Sequence, residues 1–474
     1  MLDVVVFTWI GSRKHVGRRS RDKPGAVGNR GPVLLIACLG VALAGGVALA
    51  ATTSAPSFAR PATYGTGSFP KSVAIGDLNG DSKPDLAVAT SENLTILVNR
   101  GDGRFLFRPE VQPRYSSNGV AIADVNGDGK PDLLTGFEST LSVLISSGDG
   151  SFSAARDYAV GRGVTSVAAA DVTGDGETDV VTSNALAGTV SVLRNSGSSF
   201  EAKVDYATGR RPESVAVADL TGDGKPDLAT ANSVAGTVSV LLNDGSGGFG
   251  VRHDYRTGNG RPDSVTLDDL NHDGKLDIAA ANLGMAGHEP ATRASVSVFL
   301  NRGTGTFPSR RDYAGGPGAF AVASGDLNGD GKPDLVTGSG FVLPNRGDGR
   351  FAAALQYNAP GDNESDSYSV AVDDLNGDRK SDLAFTNVDS RNGDSFVSVL
   401  LNRPGLCTVQ YVEGMTLSAA KRTIARANCR VGKVRRAYSR TVTRGRVISE
   451  KPGPLTVLPK RGKVNLVVSR GRRH

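Results

Sequence analysis

One nine-residue pattern, written seven times, constrains this chain more than any other feature. The copies are DLNGDSKPD from Asp77, DVNGDGKPD from Asp124, DVTGDGETD from Asp171, DLTGDGKPD from Asp219, DLNHDGKLD from Asp269, DLNGDGKPD from Asp326 and DLNGDRKSD from Asp374. Successive copies lie 47, 47, 48, 50, 57 and 48 residues apart. A fixed period of this length means one structural unit repeated, each burying its apolar face against the next. The fourth unit shows the content of them all. SVAVADL at 214–220 alternates as a strand, the acidic nonapeptide follows, and DLATAN (227–232) and TVSVLLN (237–243) read as two more strands. The Gly turn DGSGGF then leads to a fourth, GVRHDYRTG at 250–258. Four short strands joined by turn residues describe a propeller blade, not a βαβ unit. No stretch between 60 and 405 sustains a helical period. The 61 glycines fit a chain of many tight turns. The expectation is a mainly β fold: a seven-bladed β-propeller of four-stranded blades.

The seventh unit is incomplete. DLAFTN and SFVSVLL follow its acidic loop, and then NRPGLC, so its fourth strand is absent. SFARPATYG, residues 57–65, has the form of that missing strand. The N-terminal strand is therefore expected to close the ring, removing the open sheet edge of a linear array. A Tyr precedes each loop in phase: Tyr64, Tyr115, Tyr158, Tyr206, Tyr255, Tyr313 and Tyr357. In six units a Phe lies six residues earlier: Phe58, Phe152, Phe200, Phe249, Phe307 and Phe351. An even spacing puts both rings on one side of a strand, where they would pack the outer strand onto its neighbour.

The nonapeptides carry oxygen ligands at fixed positions. Position 1 is Asp77, Asp124, Asp171, Asp219, Asp269, Asp326 and Asp374. Position 3 is Asn79, Asn126, Thr173, Thr221, Asn271, Asn328 and Asn376. Position 5 is Asp81, Asp128, Asp175, Asp223, Asp273, Asp330 and Asp378. Position 9 is Asp85, Asp132, Asp179, Asp227, Asp277, Asp334 and Asp382. Three carboxylates so close together repel by a few kcal/mol at an effective dielectric near 20. A hard divalent cation such as calcium removes that cost. Metal-free Asx turns are the alternative, since Asp, Asn and Gly favour turns without any ion. An EF-hand would need Glu at position 12, but Val88, Thr135, Thr182, Thr230, Ala280, Thr337 and Phe385 stand there. Ser82 and Arg379 replace Gly at position 6, and His272 replaces it at position 4. A left-handed backbone at position 6 would make the first and last sites weakest.

These loops, with the NRGDGRF turns at 99–105 and 345–351, resemble the FG-GAP/VCBS repeats of the integrin α-subunit propeller and its bacterial relatives. The resemblance covers about 57–403. It implies calcium held by side chains at positions 1, 3, 5 and 9 and by the position-7 carbonyl. In the loop from Asp124 these are Asp124, Asn126, Asp128 and Asp132, with the Lys130 carbonyl. The Arg-Gly-Asp within NRGDGRF sits where each blade has its Gly turn.

PGL at 404–406 marks a boundary. Residues 61–405 hold 29 Lys/Arg and 44 Asp/Glu, whereas 406–474 hold 17 and 2, so the balance swings from −15 to +15. Such a change argues for modules with different partners. A short extended piece leads into a helix over about 416–428, with Leu417, Ala420, Ile424 and Ala427 on one face. Strands are expected at 430–438, 445–450 and 463–469. This βαβββ order, with EGMTLSAAKRTI, GRVISEKPGP and GKVNLVVSRG, resembles a PASTA domain over most of 407–471. The resemblance implies a small α+β domain at the bacterial cell wall, with peptidoglycan as partner. Cys407 and Cys429 are an even pair that an exported chain would bridge; free thiols are the alternative. Nucleic acid is disfavoured, because Tyr411 and Tyr438 are the only stacking platforms in the module. Wall glycans or anionic lipids remain as polyanions for its basic surface.

The first 50 residues read as an export segment. Arg13, Lys14, Arg18, Arg19, Arg21, Lys23 and Arg30 precede the apolar run Pro32–Ala50, and Ala48-Leu49-Ala50 is a small-x-small cleavage site. The same run could instead remain as a membrane anchor, or Cys38 could be acylated. The division is thus 1–50 signal peptide or signal anchor, 51–403 propeller and 404–474 PASTA-like domain with a basic tail. The five His residues fall in no motif, and no nucleophile elbow or phosphate loop is present. The expected function is non-enzymatic: a secreted or cell-surface, calcium-stabilised adhesion or ligand-binding scaffold whose PASTA module contacts the cell wall. A calcium-dependent lectin is the alternative, and a polysaccharide-active enzyme a more distant one. The ligand of the propeller is open. LGMAGHEPATRA (283–294) and GDNESDS (361–367) are lengthened loops that could hold it.

Overall fold

The computed structural model describes residues 55–472 apart from 109–110, 112, 114–115, 198, 259, 285–293, 317, 358–364 and 390–392. The N-terminal segment, Tyr115 and most of both lengthened loops lie outside the described residues. Among those described, seven four-stranded antiparallel sheets form along the chain. In the fourth, Pro212–Ala218, Asp227–Asn232, Thr237–Leu241 and His253–Arg256 pair in that order. Its second strand is buried at every residue, because the flat blade is covered on both faces by its neighbours. That is why DLATAN reads as continuously small or apolar instead of alternating. The first strands touch in sequence around a circle, and the seventh, Ser365–Asp373, meets the first, Ser72–Gly76. The ring is closed.

The N-terminus completes it. Ala62–Gly65 pairs antiparallel with Ser395–Leu400, placing Ala62 opposite Val399 and Tyr64 opposite Val397. Pro61 carries no N–H and interrupts the ladder. Upstream of it Phe58 bridges Asn402, and Ala59 N donates to the Leu401 carbonyl (2.8 Å).

Two sets of contacts join blade to blade. Near the axis, a serine of one first strand accepts a hydrogen bond from the valine N–H of the next. The pairs are Ser369 with Val73, Ser72 with Val120, Ser166 with Val215, Ser214 with Val265 and Ser264 with Val322. At the two remaining joints the serine position is Gly119 or Ala321, neither of which has a side-chain acceptor. At the rim, the expected packing of the phased Tyr and Phe takes a different form. A Tyr does not meet the Phe of its own strand. Tyr64 packs on Phe105, Tyr158 on Phe200, Tyr206 on Phe249, Tyr255 on Phe307, Tyr313 on Phe351 and Tyr357 on Phe58, with centroids 5.1–5.5 Å apart and rings edge to face. Each pair crosses from one blade to the next and is worth about 0.5–1.5 kcal/mol beyond burial.

The C-terminal module folds around the helix Leu417–Arg426. Thr416 caps it by accepting from Ala419 N–H, and Ala420 and Ile424 are buried. A three-stranded sheet runs Arg430–Ala437, Lys463–Ser469, Val447–Lys451, its first pair parallel. One strand exceeds the expected βαβββ: Val457–Pro459 pairs with Leu406–Thr408. It is three residues long and ends in Pro, too short to signal itself by alternation. Cys407 and Cys429 form a disulfide that ties this first strand to the end of the helix.

The module also grips the propeller. The buried Gln410 side chain accepts from Gln356 N (2.8 Å) and donates to the Gln356 carbonyl (2.9 Å). It thereby stands in for a strand partner beside the shortest outer strand, Leu355–Gln356. Asn428, held at φ +58°, donates from Nδ2 to the Ala55 carbonyl (3.1 Å) and Ser57 Oγ (3.0 Å). From the other side the buried Tyr357 hydroxyl donates to the Pro56 carbonyl (2.7 Å). The closing segment is therefore held between blade and module. Replacing Gln410 and Asn428 together by Ala should cost about 2–4 kcal/mol in urea unfolding, with an unchanged m-value, because buried groups lose their partners. A loss below about 0.5 kcal/mol would show that the grip adds nothing to closure.

Candidate metal centre

Each acidic loop joins the first and second strands of a blade, and all seven fold alike. Positions 4 and 6 are left-handed throughout. The non-glycine residues His272, Ser82 and Arg379 keep that conformation at φ 62°, 62° and 65°, a cost that glycine avoids. The turn is wound around the position-1 carboxylate. Asp77 Oδ1 accepts from Gly80 N (2.8 Å) and Asp81 N (3.1 Å), and its Oδ2 from Ser82 N (2.7 Å). Asp326 does the same with Gly329, Asp330 and Gly331. The position-5 carboxylate accepts from position-7 N–H, as in Asp128 with Lys130 (2.9 Å). In six loops the following Lys also reaches back to it, from 2.8 Å in Lys83–Asp81 to 3.8 Å in Lys332–Asp330. The third loop has Glu177 in place of that Lys.

Position 9 is different in kind. Asp85, Asp132, Asp179, Asp227, Asp277, Asp334 and Asp382 are all buried. In every blade one oxygen accepts from position-2 N–H, at 2.9–3.3 Å. The other accepts from the N–H that ends the third strand, at 2.5–2.8 Å. Burial pushes these carboxyls up, and the charges at positions 1 and 5 add to it in most of them. Asp85 rises to about 6, Asp277 and Asp382 to about 7 and Asp334 to about 8. A buried carboxyl crowded by two more favours its neutral form, and a proton or a cation would relieve it equally. Position 3 adds to this. Asn271 Oδ1 and Asn328 Oδ1 are buried without a hydrogen-bond partner, which oxygen donors awaiting an ion would explain. Among the described residues no three His, Cys, Asp or Glu side chains are drawn into a finished metal cage. The loop N–H groups and the Lys ammonium groups occupy the carboxylates instead.

Family models place this geometry. An FG-GAP-like repeat model matches residues 77–135, 124–182, 171–230, 219–280 and 286–337, more than half the chain. The chain belongs to the FG-GAP-like repeat family. A PASTA domain model matches 408–470. Solved structures similar to the chain stand at low identity. One is an Agrocybe aegerita lectin, described as recognising non-reducing terminal N-acetylglucosamine, at 23% identity, covering 60% of this chain and 79% of that one, TM-score 0.44. Another is BBS1N in complex with ARL6DN, at 12% identity, covering 74% and 98%, TM-score 0.49. A third is a functionally unknown protein from Desulfotomaculum acetoxidans, at 14% identity, covering 62% and 91%, TM-score 0.41. Likeness at this level says nothing of function.

Sequence reasoning missed one residue of the FG-GAP loops' surroundings. In six blades an Asn lies at the end of the third strand or within two residues after it: Asn99, Asn195, Asn243, Asn301, Asn345 and Asn402. Each donates from Nδ2 to the position-2 carbonyl of the preceding blade, at 2.7–2.9 Å. Its own N–H is the one held by the position-9 Asp. Asp, position-2 peptide, Asn and the next Asp thus form a hydrogen-bonded circuit around the propeller. It breaks once, at Ser146 of the second blade. The Asn recurs in phase in the sequence, but its partner lies one blade away, and in five of the six an Asn two residues before Gly reads as part of the turn. Ser146→Asn should close the circuit and raise stability by about 1 kcal/mol in urea unfolding. With calcium chelated, Asp227→Ala should cost about 2–4 kcal/mol by stranding two buried N–H groups. Asp223→Ala should leave the chelated protein's Tm unchanged. Equal losses in the two variants would refute the division of roles.

Proposed function

We propose that this FG-GAP propeller is an exported, non-enzymatic scaffold of the bacterial cell envelope, stabilised by calcium in its acidic loops and tied to the cell wall by its PASTA module. The observation that carries the proposal is the position-9 Asp, buried in all seven loops and crowded by the charges of two further carboxylates in six of them. In the loop from Asp124, the side chains of Asp124, Asn126, Asp128 and Asp132 and the Lys130 carbonyl would hold the ion. Bound calcium would supply two positive charges where the fold gathers three carboxylates and, in six loops, one Lys. The role of the chain's own residues is to wind the loop and keep the oxygens turned inward. Export rests on the basic and apolar N-terminal sequence, with a membrane tie only if residues 32–50 stay uncleaved. Among the described residues no helix is long and apolar enough to cross a membrane. Wall contact rests on the PASTA match and the +15 balance of residues 406–474.

A second reading, a calcium-dependent lectin, is favoured by one observation. A cavity of about 580 Å³ opens beside the closing strand, lined by Thr63, Thr66, Ser68, Asp389, Asp394 and Phe396 among others. Hydroxyls and carboxylates beside a ring are the chemistry that sugars require. Chelation should lower the Tm of the full chain. At ~1 mM free calcium and Kd ~0.1 mM each site contributes roughly 1.4 kcal/mol. The chain should also sediment with isolated cell walls. An unmoved melting curve refutes the metal, and a supernatant holding all the protein refutes the wall. Glycan-array signal abolished by chelator, without sedimentation, would favour the lectin.

A further inference from the structure

The charge of the C-terminal module is polarised across its sheet. Residues 406–474 contain 17 Lys/Arg and two acids, Glu413 and Glu450. Glu450 lies on one edge strand, Val447–Lys451. The other acid is close to it: the Glu450 carboxyl is pushed up chiefly by burial and further by the charge of Glu413. Both negative charges therefore gather on that side.

The opposite edge is the strand Arg430–Ala437, paired on one side only. Arg430 and every residue from Lys433 to Tyr438 are exposed. Arg430, Lys433, Arg435 and Arg436 span about 20 Å at the ordinary rise of a strand. None has a carboxylate partner: among the described residues the ion pairs fall between residues 81 and 380. Arg430 stands opposite Lys463 in register on the neighbouring strand. Like charges so placed destabilise a sheet. The row ends at Tyr438, which is 53% exposed and carries the Arg470 guanidinium 5.8 Å from its ring centre. One Lys or Arg is enough to protect a sheet edge from pairing with another chain. Four along one edge, with Arg430 and Arg435 on the face of Lys463 and Arg436 on the other, exceed that need.

We propose that the edge strand Arg430–Ala437, with Lys463 beside it and Tyr438 at its end, is a docking track for a linear anionic glycan. Its repeated negative groups pair with Arg430, Lys433, Arg435 and Arg436, and a sugar ring rests against Tyr438. The inference depends on the module being the wall-contacting part of the chain, and names the surface and the class of polymer. One aromatic at the end of the row suits a sugar better than the series of stacking platforms that single-stranded nucleic acid uses. A track one strand wide lacks the broad apolar face that enters a lipid surface.

The test uses the full chain with calcium at about 0.15 M salt, where exposed charges are already screened. Binding is measured to polygalacturonate, to a poly(hexose phosphate) and to neutral dextran. The first two separate a carboxylate from a phosphate ligand. The triple variant Lys433→Gln, Arg435→Gln, Arg436→Gln should bind the preferred polyanion about tenfold more weakly. The charge-matched helix triple Lys421→Gln, Arg422→Gln, Arg426→Gln should bind within about twofold of the parent chain. Tyr438→Ala should weaken binding without changing its salt dependence. Equal losses in the two triples would overturn the proposal, leaving only net charge. Tighter binding of single-stranded DNA or phosphatidylglycerol vesicles than of either glycan would also overturn it. Sedimentation with walls stripped of anionic polymer, without polyanion binding, would sink this track and leave wall contact standing. Polyanion binding without wall sedimentation would do the reverse.

Discussion

The structure turns on a carboxylate that is buried and bonded twice. Each position-9 Asp fixes its own loop through one oxygen and the end of its own third strand through the other. The residue held by the second bond is usually an Asn, and its side chain reaches back to the previous blade. One ionised group therefore sets the loop, the register of the second and third strands, and the position of the next blade. Losing a partner of such a group leaves buried donors unsatisfied, which costs more than the bond itself contributes. The same burial makes the negative charge expensive. The circuit that holds the ring and the raised pKa of its carboxyls are two results of one placement.

Much of this was legible in the sequence. The seven loops were visible because backbone geometry dictates Asp at positions 1, 5 and 9, and the left-handed turns tolerate so few residues that His272, Ser82 and Arg379 stood out. The closing strand was visible as a missing part, since an array with three strands at one end and one at the other has a single economical solution. What escaped notice depends on the neighbouring blade. The Ser72–Val120 bond and the Asn243–Val172 bond join residues 48 and 71 apart in sequence. No local pattern announces a partner at that distance. The Tyr and Phe rings were recognised as phased, but parity along one strand does not say which Tyr meets which Phe. They meet across the joint, where one blade's rim lies against the next.

The two modules looked separate, with opposite charge and different families. The structure qualifies that separation. Gln410 completes a propeller strand and Asn428 holds the segment that closes the ring. A disulfide buried in the smaller module brackets these two grips, with Cys407 three residues before Gln410 and Cys429 one residue after Asn428. A core too small to be rigid by hydrophobic burial alone gains from such a cross-link. Here the cross-link also steadies the surface that faces the propeller.

Ring closure by the first described strand has a consequence for biosynthesis. Residues 55–65 leave the ribosome before any blade, and their partners, Ser395–Leu400 and Asn428, are made last. Until then the first strand has no place to pair and the seventh blade keeps a raw edge. A chain terminated early cannot hide that edge, however well its other six blades have formed. The topology thus makes the closed ring a sign that synthesis has passed Asn428, and leaves shorter products with an exposed strand edge.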